Sequence, residues 1–260
     1  MPILVYHSVS SEPLPWIAPL AVSPTTFEAH LDAIVGSGAS TMTVSDLIDA
    51  IRRDPLALPD RMAVITFDDG FADFRDAALP ALAARGISST LYVTTGFVER
   101  ARGPYGDPML DFASLGGLAS AGVEIGGHTH THPQLDTLAE RHLHDEIDGC
   151  KVLLEDRIGN PIRTFAYPHG YSSPRVRQAV REAGYDSACS VMNALSSVPP
   201  DPFKIPRLMV RSTTSAADVA GWIRGEGAPR APRHDRMRTR VWRAYRRGAV
   251  RLGMRRAVDL

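Results

Sequence analysis

The sequence predicts an α/β barrel of parallel strands, on three observations. Strand-like and helix-like segments alternate from residue 3 to residue 224 with short connections, the pattern of βαβ units with right-handed crossovers. About seven strands can be counted, enough for a barrel that closes imperfectly. Two polar clusters each follow an apolar run: Asp68-Asp69-Gly70 ends residues 63–67, and His128-Thr129-His130-Thr131-His132 follows Val123 and Ile125. At the C-terminal ends of barrel strands, such clusters share one rim, where the active sites of these barrels lie.

Each element has a local reason. Residues 3–5 are apolar and deliver Tyr6-His7, followed by a loop containing Pro13, Pro15 and Pro19. Ser23-Pro24 reads as a helix N-cap and first helical residue, opening a helix to about residue 35. Phe27, His30, Leu31 and Ile34 lie on its inner face. Residues 41–44 read as a strand, and Ser45 as the cap of a helix over 46–53. Residues 62–67 form the apolar strand before the Asp pair. A helix over 74–85 closes at Gly86, and residues 89–93 are β-branched and aromatic, hence a strand. A helix over 111–121 and a strand over 123–125 precede the His cluster. A long helix over 138–158 exits at Gly159. The pattern continues with a strand over 163–167, a helix over 174–183, strands over 187–191 and 205–210, and a last helix over 218–224.

With 260 residues and 44% apolar content, the chain can bury a full core and is not disordered. Cys150 and Cys189 are too few for a disulfide scaffold and fit no Cys-x-x-Cys pattern, so both read as reduced core thiols. No apolar run approaches the ~18 residues of a membrane span. Residues 1–7 lack the basic start and long apolar stretch of a secretory leader, so the expected compartment is the cytoplasm. The formal net charge of zero hides an asymmetry: residues 230–260 hold eleven Arg and two Asp, giving +9 and leaving −9 for the rest. With the Gly- and Pro-containing stretch 225–232, this divides the chain into a barrel over residues 1–225 and an Arg-rich tail over 226–260.

Asp-Asp-Gly alone is common in turns, and a short His tract can be a metal site or a surface feature. In this order, each after a strand, the two are far more specific. Side-by-side buried acids are costly without a bound cation, and His supplies the neutral ligands a metal needs.

The motifs resemble those of the polysaccharide deacetylases of carbohydrate esterase family 4, over roughly residues 1–225. Thr66-Phe67-Asp68-Asp69-Gly70 looks like the first family motif, His128-Thr129-x-x-His132 like the second, and Phe165-Ala166-Tyr167-Pro168-His169-Gly170 like the third. The resemblance implies a distorted (β/α)7 barrel in a single domain, a divalent metal and removal of acetyl groups from glycans. It implies that Asp69, His128 and His132 hold the metal and that Asp68 is the general base. It also implies that the backbone N–H of His169 helps stabilise the oxyanion, while Tyr167 and Pro168 shape the acetate pocket. His130 is expected to point away. The third motif often carries an Arg where this chain has Ala166; Arg207, in Ile205-Pro206-Arg207, is the candidate replacement. The usual last motif, Leu-x-x-His near the C-terminus, is missing, and His234 is a poor substitute. The start Val5-Tyr6-His7 resembles the circularly permuted branch related to poly-N-acetylglucosamine deacetylases, which implies His7 as the general acid.

Zinc fits two His and one Asp, and nickel, cobalt or iron would also fit. The expected substrate is a carbohydrate bearing an N-acetyl group. A non-sugar amide or cyclic imide on the same site, and a glycan-binding barrel without turnover, remain alternatives. In the tail, Trp242, Tyr245, Ala249 and Leu252 share one face of a helix over 241–252 with Arg on the other. That face suits an anionic membrane surface, which would place the protein peripherally at the inner membrane face. Docking on the acidic barrel is the second reading, and nucleic-acid contact the weakest.

Overall fold

The computed structural model describes residues 1–232, 241–242 and 245–248. Its strands and α-helices run β1 (Ile3–Tyr6), β2 (Ser8–Val9), β3 (Ala21–Val22), α1 (Pro24–Gly36), β4 (Ser40–Thr41), α2 (Val44–Arg53), β5 (Met62–Phe67), α3 (Leu79–Ala83), β6 (Ser89–Val93) and α4 (Thr95–Arg100). They continue with α5 (Phe112–Ser120), β7 (Glu124–Gly127), α6 (Glu140–Ile158), β8 (Thr164–Ala166), α7 (Pro174–Glu182), β9 (Ser187–Val191), β10 (Ile205–Met209) and α8 (Ala216–Ile223).

Seven parallel strands form the ring β1-β10-β9-β8-β7-β6-β5, and pairing of β1 with β5 closes it. Ile3, Leu4, Val5 and Tyr6 lie opposite Val64, Ile65, Thr66 and Phe67. The two-residue β4 pairs with the start of β5, and β2 with β3 forms a separate short ladder. This is the distorted (β/α)7 barrel expected above.

The period-two alternation of each strand divides its side chains between two layers. Ile3, Val64, Tyr92, Ala166, Cys189 and Ile205 pack inside the ring with Val44, Leu47 and Ile48 of α2, which plugs its N-terminal end. A larger outer layer, including Leu4, Tyr6, Ile65, Phe67, Leu91, Phe165, Tyr167, Leu143 and Ile147, joins the strands to the surrounding helices. Gly126 permits the interior packing: a Cβ there would lie 2.5 Å from the Tyr92 ring. Both cysteines are free and buried.

Helix starts follow capping chemistry. Ser23, Asp111, Ser173 and Ser215 each accept a hydrogen bond from a backbone N–H in the first turn. The cap of α2 is Thr43, not Ser45, because Ser45 is buried and its N–H is taken by Glu124. The expected strand over 41–44 shrinks to β4, since residues 43 and 44 already belong to the cap and helix. The helix expected over 74–85 begins as a π-turn, Phe74–Ala78, before α3. The sequence reading did not anticipate α4.

The expected helix over 241–252 lies partly outside the described residues, as do His234, Ala249 and Leu252. Residues 241–242 and 245–248 are helical. Among the described residues, no helix is long and apolar enough to cross a membrane.

Candidate metal centre

Beyond Phe67, β5 continues its alternation for one more residue. Thr66 points inward, Phe67 outward and Asp68 inward, and the Asp68 N–H donates to the Tyr6 carbonyl at 3.0 Å. The next strand but one in space, β10, presents Arg207 to the same interior. Its two terminal nitrogens donate to the two oxygens of Asp68 at 2.6 and 2.7 Å, and one also donates to the Thr66 hydroxyl at 3.0 Å. Arg207 has no solvent exposure, and its guanidinium stands 5.3 Å from the centre of the Tyr92 ring. A cation therefore reaches Asp68 from β10, although β8 carries Ala166. Burial raises the affinity of Asp68 for a proton, but Arg207 together with His128 and His7 outweighs it and holds the carboxyl at about 2. Each Asp68 oxygen keeps a second lone pair.

Asp69 then turns away with φ +74°. Thr129, His132 and His169 also carry positive φ. A left-handed backbone is costly for such residues and persists where surrounding structure imposes it, often at functional sites. The two His of the second motif therefore converge through a loop with two left-handed residues, Thr129 and His132. The His132 N–H donates to the Thr129 hydroxyl at 3.0 Å, and the N–H groups of His130 and Thr131 both donate to Glu146 at 2.8 Å.

Asp69 Oδ1 lies 3.5 Å from His128 Nε2 and 3.4 Å from His132 Nε2. All three side chains are buried, and one donor atom from each falls within 4.8 Å of the others. Asp69 Oδ1 accepts no hydrogen bond. His128 Nδ1 bonds the Ala166 carbonyl at 2.7 Å, which leaves Nε2 as the ligating nitrogen. Burial raises the Asp69 proton affinity, opposed by His128 and His7. Burial, followed by the neighbouring His128, pushes His132 well below the usual range. Two ligands of a tetrahedral ion at ~2.0–2.1 Å sit roughly 3.3 Å apart, so this donor set fits a divalent cation.

The remaining residues named from the sequence fall as follows. His7 follows β1, is partly buried and has no hydrogen-bond partner at Nδ1. Burial lowers its pKa, while Asp69 and Asp68 oppose that effect. Pro168 and His169 lie in a single turn, Pro168–Gly170, beside the site. The His169 ring packs edge-on against His132 at 4.8 Å between centroids, and burial lowers its pKa to about 3. This ring contact was missed because sequence reasoning considered only the His169 backbone. Tyr167 departs from expectation: its hydroxyl donates to the Phe203 carbonyl at 3.0 Å and its ring packs on Phe165 in the outer layer. Continued alternation past β8 turns it outward, away from the three donors. His130 is tied to the Thr95 hydroxyl at 2.9 Å and is not one of the three converging donors.

The profile of the polysaccharide deacetylase family matches residues 56–188. The chain belongs to that family. The Bacillus subtilis (strain 168) protein YxkH, which bears the name of a polysaccharide deacetylase, is 24% identical over 223 residues, covering 86% of this chain and 76% of YxkH. Among solved structures, the Streptococcus pyogenes deacetylase PplD in complex with acetate superposes with TM-score 0.75 at 22% identity, covering 84% of this chain and 96% of that one. IcaB from Ammonifex degensii does so with TM-score 0.73 at 25% identity, covering 85% and 96%. A de-N-acetylase from Aggregatibacter actinomycetemcomitans gives 0.71 at 18% identity, covering 82% and 96%. As a polysaccharide deacetylase, this chain is a hydrolase whose class of substrate is an acetylated carbohydrate.

Proposed function

We propose that the chain removes N-acetyl groups from an N-acetylhexosamine-containing glycan or glycoconjugate, with a divalent cation, zinc by preference, held by Asp69, His128 and His132. One observation carries the reading. Two adjacent carboxylates are treated oppositely, Asp68 clamped by Arg207 and Asp69 turned toward two imidazole nitrogens with an oxygen left over.

Bound there, the cation would activate water and polarise the acetyl carbonyl. The chain supplies the rest. Asp68, held ionised by Arg207, offers a free lone pair as proton acceptor. Arg207 fixes its orientation by pairing with both oxygens, and so acts through Asp68. His7 protonates the departing nitrogen. Pro168 and His169 wall the site, and the His169 N–H helps hold the oxyanion. The similarity to a chain named as a de-N-acetylase and to a deacetylase seen with acetate supports the acyl group.

Acetate release should be measured from N-acetylglucosamine oligomers, nucleotide sugars and lipid-linked N-acetylhexosamines, with the Asp68→Asn variant as control. Release that disappears in the variant supports the assignment. Metal bound at one per chain with no release from any member of the panel rules out the sugar substrates.

A further inference from the structure

The third and second motif loops, which carry His169 and His132, are joined by a side chain from far outside both. We infer that Arg246, on the C-terminal helical segment, is a positioning residue that bridges these two loops and sets the affinity of the Asp69-His128-His132 centre for its cation; the inference rests on those three residues being the metal ligands.

The geometry is that of a bracket. One terminal nitrogen of Arg246 donates to the Asp136 carboxylate at 2.7 Å, and both side chains are almost fully buried. The other terminal nitrogen reaches the Gln134 side-chain oxygen at 3.4 Å. The flat face of the same guanidinium lies 3.4 Å from the centre of the Tyr171 ring. Asp136 is four residues after His132, in the turn Leu135–Thr137. Tyr171 is two residues after His169, and the rings of these two stand 5.7 Å apart. The His169 ring in turn packs on His132. Arg247 adds a hydrogen bond of 2.9 Å to the Asp136 carbonyl.

Only a planar, permanently charged group can pair at its edge and stack on its face at once. Both loops need such support, because His132 and His169 hold left-handed backbones that local sequence does not favour. Metal ligands oriented by outer contacts lose affinity when those contacts go. Among the described residues of this segment, Arg246 and Arg247 meet the barrel, while Trp242 and Tyr245 stack on each other with their rings partly exposed.

The test is zinc affinity of the full-length chain, measured by chelator competition for wild type, Arg246→Ala, Arg246→Lys and Asp136→Asn, with the exposed Arg141→Ala as control. The bridge predicts a dissociation constant raised about 10-fold or more in Arg246→Ala. Arg246→Lys should fall between the two, because it keeps the charge and loses the stack, and Arg141→Ala should match wild type. Wild-type affinity in a folded Arg246→Ala overturns the inference. Should that variant not fold, Tyr171→Leu probes the other end of the bridge, and unchanged affinity there overturns it equally. Arg246-dependent metal binding without acetate release would count against the deacetylase reading alone.

Discussion

At the N-terminal end of the barrel, Glu124 accepts hydrogen bonds from the Val44 N–H at 3.0 Å, the Ser45 N–H at 3.3 Å and the Thr90 hydroxyl at 2.6 Å. At the C-terminal rim, Asp69 is buried and its Oδ1 accepts none. Glu124 accepts the first N–H groups of α2, where the helix dipole favours a negative charge, and so ties the helix to the barrel from below. Asp69 instead faces two imidazoles across gaps suited to a cation. One fold thus sets buried acids to two tasks, one closing the barrel and one facing the donor set of the candidate metal centre. Asp68 lies between these cases, satisfied by Arg207 and still carrying free lone pairs.

Substitutions can break that contrast at several points. The largest stability effect is expected from Arg207→Ala, which leaves Asp68 buried without its cation. The loss should be about 3–5 kcal/mol, read as a lower urea midpoint. The pair also has a pH signature. Asp68 sits at about 2 in the folded chain against ~3.9 in an unfolded one. Its stabilisation is complete above pH ~4 and disappears as the pH falls toward 2. Wild type should therefore lose more stability over that window than Arg207→Ala, and parallel profiles would remove Arg207 from its role. His7→Ala should leave the melting temperature nearly unchanged and lower acetate release by about 10²–10⁴-fold; an unchanged rate would move the proton donor elsewhere. The smallest effect belongs to Glu124. Glu124→Gln should cost about 1–2 kcal/mol and leave metal affinity at the opposite end as it was.

Much of this is legible in the sequence. The end of β5 can be read to the residue, because a largely apolar run stops at two acids. The start of α1 is fixed by Ser23-Pro24. Arg207 can be nominated by the absence of an arginine at Ala166. What escaped reading has a common cause. Gly70 and Gly170 mark turns beside Asp69 and His169, but nothing in the sequence marks the left-handed backbones at Thr129 and His132. The short helix α4 lacks the length for a periodic signal. Tyr167 needs the register of β8 before its outward direction is known. The Arg246 contact to Asp136 spans 110 residues, and nothing local marks a tail arginine as one that turns back onto the barrel. Composition suggests an anionic membrane surface first and docking on the acidic barrel second; Arg246 and Arg247 make contacts of the second kind.

The central claim is that the fold divides two neighbouring carboxylates between two tasks. Metal content and acetate release should be measured side by side for Asp68→Asn and Asp69→Asn. The account predicts that Asp68→Asn keeps about one metal per chain with no acetate released, and that Asp69→Asn loses both. Loss of metal from Asp68→Asn, or full metal retention by Asp69→Asn, would contradict it.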